Sequence, residues 1–141
     1  MKNLTIHPTT PSIAEFQELR QLVGWETLPD LLVEKALAGT IFGICIRHQD
    51  QAVACGRIVG DGSLYYYLQD VIVHPDFQHK GLAKMVMAYL LSYLEKNAHP
   101  QAIIAWVKQP SIMANFFEQY GFTQRSDSEL MVCQNINSSA I

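Results

Sequence analysis

The sequence predicts an α/β domain (of the α+β kind) built on a mixed, mostly antiparallel sheet of six to seven strands flanked by about four helices. Apolar segments with strand character come first, separated by short polar turns, as in hairpins. Later strands alternate with amphipathic helices, which is typical of crossover connections and parallel pairing. A length of 141 residues suits one domain with its own core. We place this single domain at residues 1–135 and a loose tail at 136–141.

The first predicted elements are a short strand and two helices. The strand covers residues 4–7. Ser12 and Glu15 have the spacing of a capping box, and apolar residues then repeat at helical spacing up to Gly24. A second helix is expected from 29 to 37.

The remaining elements are a hairpin, a long strand rich in tyrosine, and crossover segments. Strands are predicted at residues 41–47, 52–59, 64–73, 102–107 and 130–133, and helices at 82–94 and 112–119. The strand at 102–107 is apolar throughout, which predicts burial on both faces. The late helix is capped by Ser111 and ends at Gly121.

Composition excludes several classes of function. A net charge of −3 argues against a dedicated nucleic-acid binder, which would normally be basic. An apolar content of 49% is that of a folded chain and argues against disorder. Cys45, Cys55 and Cys133 are widely spaced and lack the pattern of a metal site. Neither an apolar signal core nor an apolar run of membrane-spanning length is present in the sequence. We expect a cytoplasmic protein with reduced cysteines that uses no metal and contacts neither nucleic acid nor membrane.

The most informative segment is residues 71–83. An apolar strand meets a turn at Pro75, and a short polar loop with one glycine, Gly81, then opens a long helix. Unpaired backbone N–H groups and the positive end of the helix dipole therefore meet at one point, which suits phosphate oxygens. No Walker loop occurs, and the glycines at 60 and 62 precede a strand, which excludes a dinucleotide fingerprint.

Three segments in order resemble the GCN5-related N-acetyltransferases. The loop at 78–83, QHKGLA, matches the Q/R-x-x-G-x-G/A signature of that family. The residues at 70–77, DVIVHPDF, are similar to its central strand and turn, and those at 114–122, ANFFEQYGF, to its late helix. The order of strands and helices agrees over most of the chain.

This resemblance implies that acetyl-CoA is the donor. In the family, a bulge splays the central strand from its neighbour and exposes backbone groups to the pantetheine arm. Gly81 would let the loop backbone approach the pyrophosphate, Gln78 would hold the loop shape, and Lys80 or Lys84 would reach a phosphate. The residues assigned to the cofactor are Val71, Ile72, Val73, Gln78, His79, Lys80, Gly81, Leu82, Ala83, Lys84, Asn115 and Phe117.

Catalytic roles are assigned by the same resemblance. Asp70 and Gln69 lie where the central strand would open beside the acetyl group. Asp70 either takes the proton of the amine through water or simply bonds backbone N–H groups at the bulge. The usual tyrosine of the late helix is replaced by Phe117, which has no proton to give. Tyr120, a tyrosine of the central strand or water would then protonate the leaving thiolate.

The acceptor site would be built from the first two helices, their loop and the central strands. Trp25, Glu26, Tyr65 and Tyr67 are the residues assigned to it, with Leu28, Phe42 and Arg57 around them. The aromatic residues would form a wall for an arylalkylamine or a cation–π site for an aliphatic amine. Equally, they are ordinary core residues, and Glu26 is a surface residue favoured by the helix dipole. Arg57 would bind an acidic group of the substrate or pair with Asp61 or Asp70.

The sequence thus predicts an N-acetyltransferase that acts on the primary amine of a small molecule, such as an arylalkylamine or a polyamine. A protein N-acetyltransferase is one alternative. A module that binds CoA for regulation without turnover is another, favoured by Phe117, and an α/β domain with no CoA site is the third. A homodimer paired through the strand edge at 130–133 is also left open.

Overall fold

A computed structural model describes residues 3–106 and 118–123, and the second stretch belongs to a separate compact unit. The first stretch holds a five-stranded sheet and three α-helices. In chain order these are β1 (Leu4–His7), α1 (Ile13–Leu22), α2 (Asp30–Ala38), β2 (Phe42–His48), β3 (Gln51–Gly60), β4 (Tyr65–Val73), α3 (Leu82–Asn97) and β5 (Ile103–Trp106).

The strands are ordered β1-β2-β3-β4-β5. The first four pair antiparallel and β5 pairs parallel to β4, which confirms the mixed, mostly antiparallel sheet. The predicted count of six to seven strands and about four helices compares with five strands and three α-helices in the described part. Most of the predicted late helix (112–117), the strand at 130–133 and the tail at 136–141 lie outside the described residues.

The two faces of the sheet are covered by different helices. On one face α1 and α2 pack against the sheet in a core cluster that includes Phe16, Val33, Cys55 and Ile72. On the other face α3 buries an apolar stripe of its own. A Cβ added to Gly56 of β3 would lie 2.5 Å from a methyl carbon of Val86 in α3, so the helix approaches the sheet too closely there for any side chain.

The prediction that the strand at 102–107 is buried on both faces is wrong for the described residues. Ile103 is 48% exposed and Ile104 is 37% exposed. The physical reason is position in the sheet, because in the described part of the chain β5 is an edge strand that pairs with β4 alone.

The predicted capping box begins α1 and is tied to the sheet. Ser12 Oγ accepts a hydrogen bond from the Glu15 N–H at 3.2 Å, and the Ser12 N–H donates to Glu15 Oε1 at 3.0 Å. The guanidinium of Arg47 in β2 pairs with both oxygens of the same carboxylate, with 2.8 Å from Nη2 to Oε1. The hydrogen bonds that Arg47 donates to the Glu15 carboxylate are the main reason that the pKa of Glu15 is lowered from 4.5 to about 2.

This pair predicts acid sensitivity for the fold. Because the folded pKa of Glu15 lies below its unfolded value, the stabilisation is fully present above about pH 4.5 and is lost as the pH falls through about 2. Glu15→Gln keeps an acceptor for the capping box and removes the charge. We expect it to lower the free energy of unfolding by about 1–2 kcal/mol at neutral pH, a value discounted for partial exposure.

Urea unfolding at several pH values checks this expectation. The difference between the wild type and Glu15→Gln should shrink as the medium is acidified below the unfolded pKa. Glu18→Gln, an exposed glutamate on the same helix, is the control and should stay close to the wild type. A gap between Glu15→Gln and the wild type that does not change with pH would contradict the role of the ion pair.

Candidate cofactor and active site

The site begins with a β-bulge in the middle of β4. Cys55 of β3 is opposite Ile72 and Arg57 is opposite Gln69, so Gly56 between them faces two residues, Asp70 and Val71. Asp70 has a φ of +55°, in the left-handed region. The bulge lies where the family resemblance implies one, and it re-aims the strand at this point.

After Asp70, the side chains of Val71 and Ile72 are directed into the core. Val71 is 6% exposed and Ile72 is 2% exposed. Only the backbone of these two residues is therefore left for a ligand to use. In the described part of the chain β4 pairs with β5 from Tyr65 to Leu68, before the bulge.

The loop after β4 is held by a short network of hydrogen bonds. The His74 N–H donates to the Val53 carbonyl of β3 at 2.8 Å, and residues Pro75–Phe77 make one turn of 3-10 helix. Gln78 Nε2 then donates back to the Val73 carbonyl at 3.2 Å. This bond spans the loop and supports the prediction that Gln78 holds its shape.

We expect Gln78→Ala to weaken acetyl-CoA binding about fivefold, the worth of one hydrogen bond of ~1 kcal/mol that orders the loop. Calorimetric titration with acetyl-CoA measures the effect. Gln51→Ala, an exposed glutamine at the start of β3, is the control and should bind like the wild type. An affinity equal to the wild type for Gln78→Ala would remove this residue from the loop's function.

Gly81 turns the loop into α3. Its φ is +84°, and a Cβ added there would meet nothing within 4 Å. Among the described residues no side chain caps α3 at Gly81, and the first intrahelical bond runs from the Met85 N–H to the Gly81 carbonyl. The N–H groups of Leu82, Ala83 and Lys84 precede that bond and lack acceptors within the helix. An open backbone turn and a helix N-terminus thus share one exposed surface.

Basic and aromatic side chains line the outer side of this loop. Lys80 Nζ lies 5.6 Å from the centre of the Phe77 ring. The same ring contacts His48 at 5.2 Å and His74 at 5.5 Å between ring centres. The side chain of Lys80 therefore lies along the loop, and those of His79 in the loop and Lys84 in α3 are exposed.

Asp70 at the bulge lies between two guanidinium groups. Its Oδ2 accepts from Arg57 Nε at 2.7 Å, and its Oδ1 lies 3.7 Å from Arg20 Nη1. The carboxylate is only 14% exposed. Arg57 also donates from Nη1 to the Ala36 carbonyl and to Thr40 Oγ1, both at 3.0 Å. Of the pairings left open for Arg57, the structure shows the one with Asp70.

Asp61 has a different task from Asp70. Its Oδ1 accepts from the backbone N–H groups of Ser63, Leu64 and Tyr65 at 2.8 to 3.0 Å. These bonds lower the pKa of the Asp61 carboxyl. This residue therefore shapes the turn between β3 and β4 and is not part of the cluster at the bulge.

Gln69, predicted as catalytic, and the predicted acceptor residues of β4 share a face of the sheet with Arg57. Gln69 is opposite Arg57 and Tyr67 is opposite Val59, and alternate residues of a strand point to the same side. Because Arg57 bonds a carbonyl of α2, this is the face of α1 and α2. Tyr65 is 43% exposed and Tyr67 is 38% exposed there. Accessible aromatic surface therefore leads away from the bulge.

The aromatic residues outside β4 occupy other environments. Trp25 packs partly buried against the core cluster, with Arg20 Cζ 5.4 Å from its ring centre. A cation of the protein itself thus already contacts the indole. Phe42 stacks on Tyr93 of α3 at 4.7 Å, so its placement in an acceptor pocket with the first two helices is wrong, because α3 covers the opposite face of the sheet. The side chain of Glu26 is exposed, as the surface interpretation expects.

Tyr120 belongs to the short described stretch at 118–123. It ends one turn of 3-10 helix, Glu118–Tyr120, and Gly121 follows with a φ of +88°. Burial raises the pKa of the Tyr120 phenol, so the group keeps its proton at neutral pH. Asn115 and Phe117 lie outside the described residues.

Sequence reasoning missed Arg20. Its Nε and Nη2 both donate to the Glu26 carbonyl, at 3.2 and 3.1 Å, while Nη1 faces Asp70. The available signal was spacing, because Gln17, Arg20 and Gln21 are polar residues three and four apart, which places them on one side of α1.

Within residues 3–106 and 118–123, no group of three or more His, Cys, Asp and Glu side chains is placed to hold a metal ion. No helix in the same ranges is both long and apolar enough to cross a membrane. Cys45 and Cys55 are free and buried, and burial raises the pKa of Cys45 to about 11.

The chain matches known proteins over most of its length. The family described as an acetyltransferase (GNAT) domain matches residues 39–124. An uncharacterised N-acetyltransferase of Porphyra purpurea is 30% identical over 120 residues, which are 82% of this chain and 67% of that protein. A similar protein of Prochlorococcus marinus is 27% identical over 118 residues, 81% of this chain and 64% of that one. The chain therefore spans about two thirds of the length of these relatives.

The fold is also similar to that of solved structures. A probable acetyltransferase from Staphylococcus aureus superposes with a TM-score of 0.85 at 19% identity, over 93% of this chain and 98% of that one. At this identity the likeness supports the fold alone. The strand bulge and the glycine turn described above lie within the segment that the family match covers.

Proposed function

Because the chain belongs to the GNAT acetyltransferase family, we propose that it transfers the acetyl group of acetyl-CoA to a primary amine of a small molecule. The observation that carries this proposal is the combination of the bulge at Asp70 with the open glycine turn at Gly81 on the segment that leaves the same strand. The bulge suits a thioester carbonyl, which needs backbone N–H donors, and the glycine turn suits a pyrophosphate. Acetyl-CoA carries both groups.

The loop residues fit the phosphate end of acetyl-CoA. The N–H groups of residues 82–84 lie at the positive end of the dipole of α3, a helix of 16 residues. The open space at Gly81 lets phosphate oxygens approach the backbone. Lys80 lies beside the loop and Lys84 in the first turn of α3, where either supplies positive charge.

The bulge is where the reacting end would lie. We assign polarisation of the acetyl carbonyl to a backbone N–H of Val71 or Ile72, whose side chains are buried in the core. Donors on a rigid strand need little reorganisation during the reaction. This matters because the charge that develops on the carbonyl oxygen must be met by groups already in place.

Asp70 is the carboxylate at the bulge. An ordinary carboxylate is a weak base toward an ammonium, so the proton would leave through water and the amine would react as its neutral form. Asp70 is also paired with Arg57 and Arg20, which holds it in one orientation. We therefore give it two tasks, accepting the proton through water and fixing the bulge.

The acceptor would approach on the face of α1 and α2. Gln69, Tyr67 and Tyr65 follow one another on this face, from beside the Arg57–Asp70 pair outward along β4. Half-exposed tyrosines offer a flat apolar surface with polar tips, which favours an amine carried on an apolar or aromatic group. This surface supports a small-molecule acceptor.

Known acetyltransferases with this fold use different acceptors. The structure of a protein from Escherichia coli (TM-score 0.70, 17% identity) is that of a ribosomal-protein-S18-alanine N-acetyltransferase. Another, from Arabidopsis thaliana (0.66, 16%), is a glucosamine-6-phosphate N-acetyltransferase. An N-acetylglutamate synthase from Neisseria gonorrhoeae (0.68, 15%) was solved with coenzyme A and L-arginine. The fold therefore admits protein and small-molecule acceptors, and a protein N-terminus is the second candidate.

Release of free CoA thiol from acetyl-CoA tests the proposal. Three acceptor probes suffice to separate the classes: 2-phenylethylamine, spermidine, and a peptide with a free N-terminal alanine. We expect the fastest release with 2-phenylethylamine. Fastest release with the peptide would favour the protein acceptor. Binding of acetyl-CoA without release above background for any probe would favour the regulatory module that Phe117 suggests.

A further inference from the structure

We propose that Arg20 is a positioning residue that couples the loop between α1 and α2 to the bulge of β4, so that the acceptor side and the reacting end of the site move as one. This inference rests on the proposed function, since it concerns the same site.

Side chains of α1 hold the loop between α1 and α2. Gln17 bonds both backbone groups of Leu28, and the Leu28 N–H to Gln17 Oε1 distance is 3.2 Å. Gln21 Nε2 donates to Thr27 Oγ1 at 2.7 Å. Arg20 donates twice to the Glu26 carbonyl. Three consecutive loop residues are thus tied to one helix face.

Among these three side chains, only that of Arg20 also makes a polar contact with β4 within the described part of the chain. Its Nη1 lies 3.7 Å from Asp70 Oδ1, with both side chains largely buried, at 16% and 14% exposure. Its Cζ lies 5.7 Å from the Phe16 ring centre and 5.4 Å from that of Trp25, so two aromatic rings pack beside the guanidinium. The planar guanidinium of Arg20 therefore links the Glu26 carbonyl, through two hydrogen bonds, to the Asp70 carboxylate, through an ion pair.

The consequence is mechanical. A displacement of the loop would move the Arg20 guanidinium relative to the Asp70 carboxylate. The backbone of Asp70 has a left-handed φ of +55°, a strained conformation that the surrounding contacts must maintain. Arg57 holds the other oxygen of Asp70 from β3. The carboxylate is then positioned from two sides, by the sheet through Arg57 and by the acceptor loop through Arg20.

Hydrogen–deuterium exchange of the full chain tests the coupling without any substrate. We expect Arg20→Gln to speed exchange at the loop amides 25–28 and also at the β4 amides 69–73. Gln21→Ala removes a loop tether that does not reach β4 and should speed exchange at the loop only. Faster exchange confined to the loop in Arg20→Gln would overturn the proposal.

Kinetics give the second readout, on the acceptor probe that the wild type acetylates fastest. We expect Arg20→Gln to raise KM for the amine about tenfold and to lower kcat, because a reacting group is misplaced, while acetyl-CoA affinity stays within about twofold. Arg20→Lys keeps the positive charge but lacks the planar guanidinium, so we expect its KM and kcat to stay close to those of Arg20→Gln. Should Arg20→Gln not fold, Arg20→Lys carries both tests.

The outcomes separate this proposal from the proposed function. A wild type that acetylates no probe counts against turnover, while the exchange comparison of Arg20→Gln with Gln21→Ala still decides the coupling. An active wild type whose Arg20→Gln variant matches Gln21→Ala in exchange and in KM overturns the coupling and leaves acetyl transfer intact. Full rescue by Arg20→Lys would likewise overturn it, because charge alone would then suffice.

Discussion

Gly81→Val is expected to lower acetyl-CoA affinity by more than about 100-fold. A β-branched residue is strained at a φ of +84°, at a cost of roughly 1–2 kcal/mol, so the turn would shift. The added side chain would also fill the open space where the backbone would meet phosphate oxygens. Calorimetric titration with acetyl-CoA measures the loss.

Gly62→Val is the matched control for backbone strain. Gly62 has a φ of +74° and, like Gly81, meets nothing within 4 Å of an added Cβ, but it lies in the turn between β3 and β4. We expect both variants to be destabilised to a similar extent, and only Gly81→Val to lose acetyl-CoA binding. Equal affinities for acetyl-CoA in both variants would show that the turn at Gly81 is not the phosphate site.

Asp70→Asn is expected to slow acetyl transfer about 100-fold, the scale on which a positioned proton acceptor contributes. Asparagine tolerates the left-handed φ of +55° about as well as aspartate does, so the backbone cost is small. The change instead leaves two largely buried guanidinium groups facing a neutral amide. The free energy of unfolding should fall by about 1–3 kcal/mol. Thermal unfolding measures this loss, and the acetyl-transfer rate is measured on the same variant.

Asp61→Asn separates the catalytic effect from a general loss of stability. Asp61 accepts three backbone hydrogen bonds in the turn between β3 and β4, and in the described structure its carboxylate forms neither a hydrogen bond nor an ion pair with the bulge. We expect this variant to unfold more readily and to keep its rate per folded molecule. A dependence of rate on pH that is the same in Asp70→Asn as in the wild type would exclude the carboxylate from proton transfer.

Much of this architecture could be read from local patterns. The capping box at Ser12 and the glycine turn at Gly81 are set by residues close in sequence, and both are present in the structure. The mixed sheet follows from hairpins and crossovers of ordinary length. The position of the bulge followed from the family resemblance, since no local pattern marks Asp70.

What could not be read is which face of the sheet a residue occupies. The bulge adds one residue to β4, so the alternation changes phase: Leu68 and Val71 are both buried, three positions apart, and Ile72 packs with α1. For a related reason Phe42 is found on the α3 face, because its side depends on register and not on residue type. Arg20 was missed because its partners are a loop carbonyl and a strand far along the chain.

An amide NMR titration of the labelled protein with acetyl-CoA tests the central claim most directly, because it reports binding and its location together. We predict saturable shifts that are largest at the amides of residues 79–84 and 71–73, on either side of the turn at Pro75. The strands β1 and β2 should change little and serve as an internal reference. Absence of shifts, or shifts that cluster on β1 and β2, would contradict an acetyl-CoA site at the junction of β4 and α3.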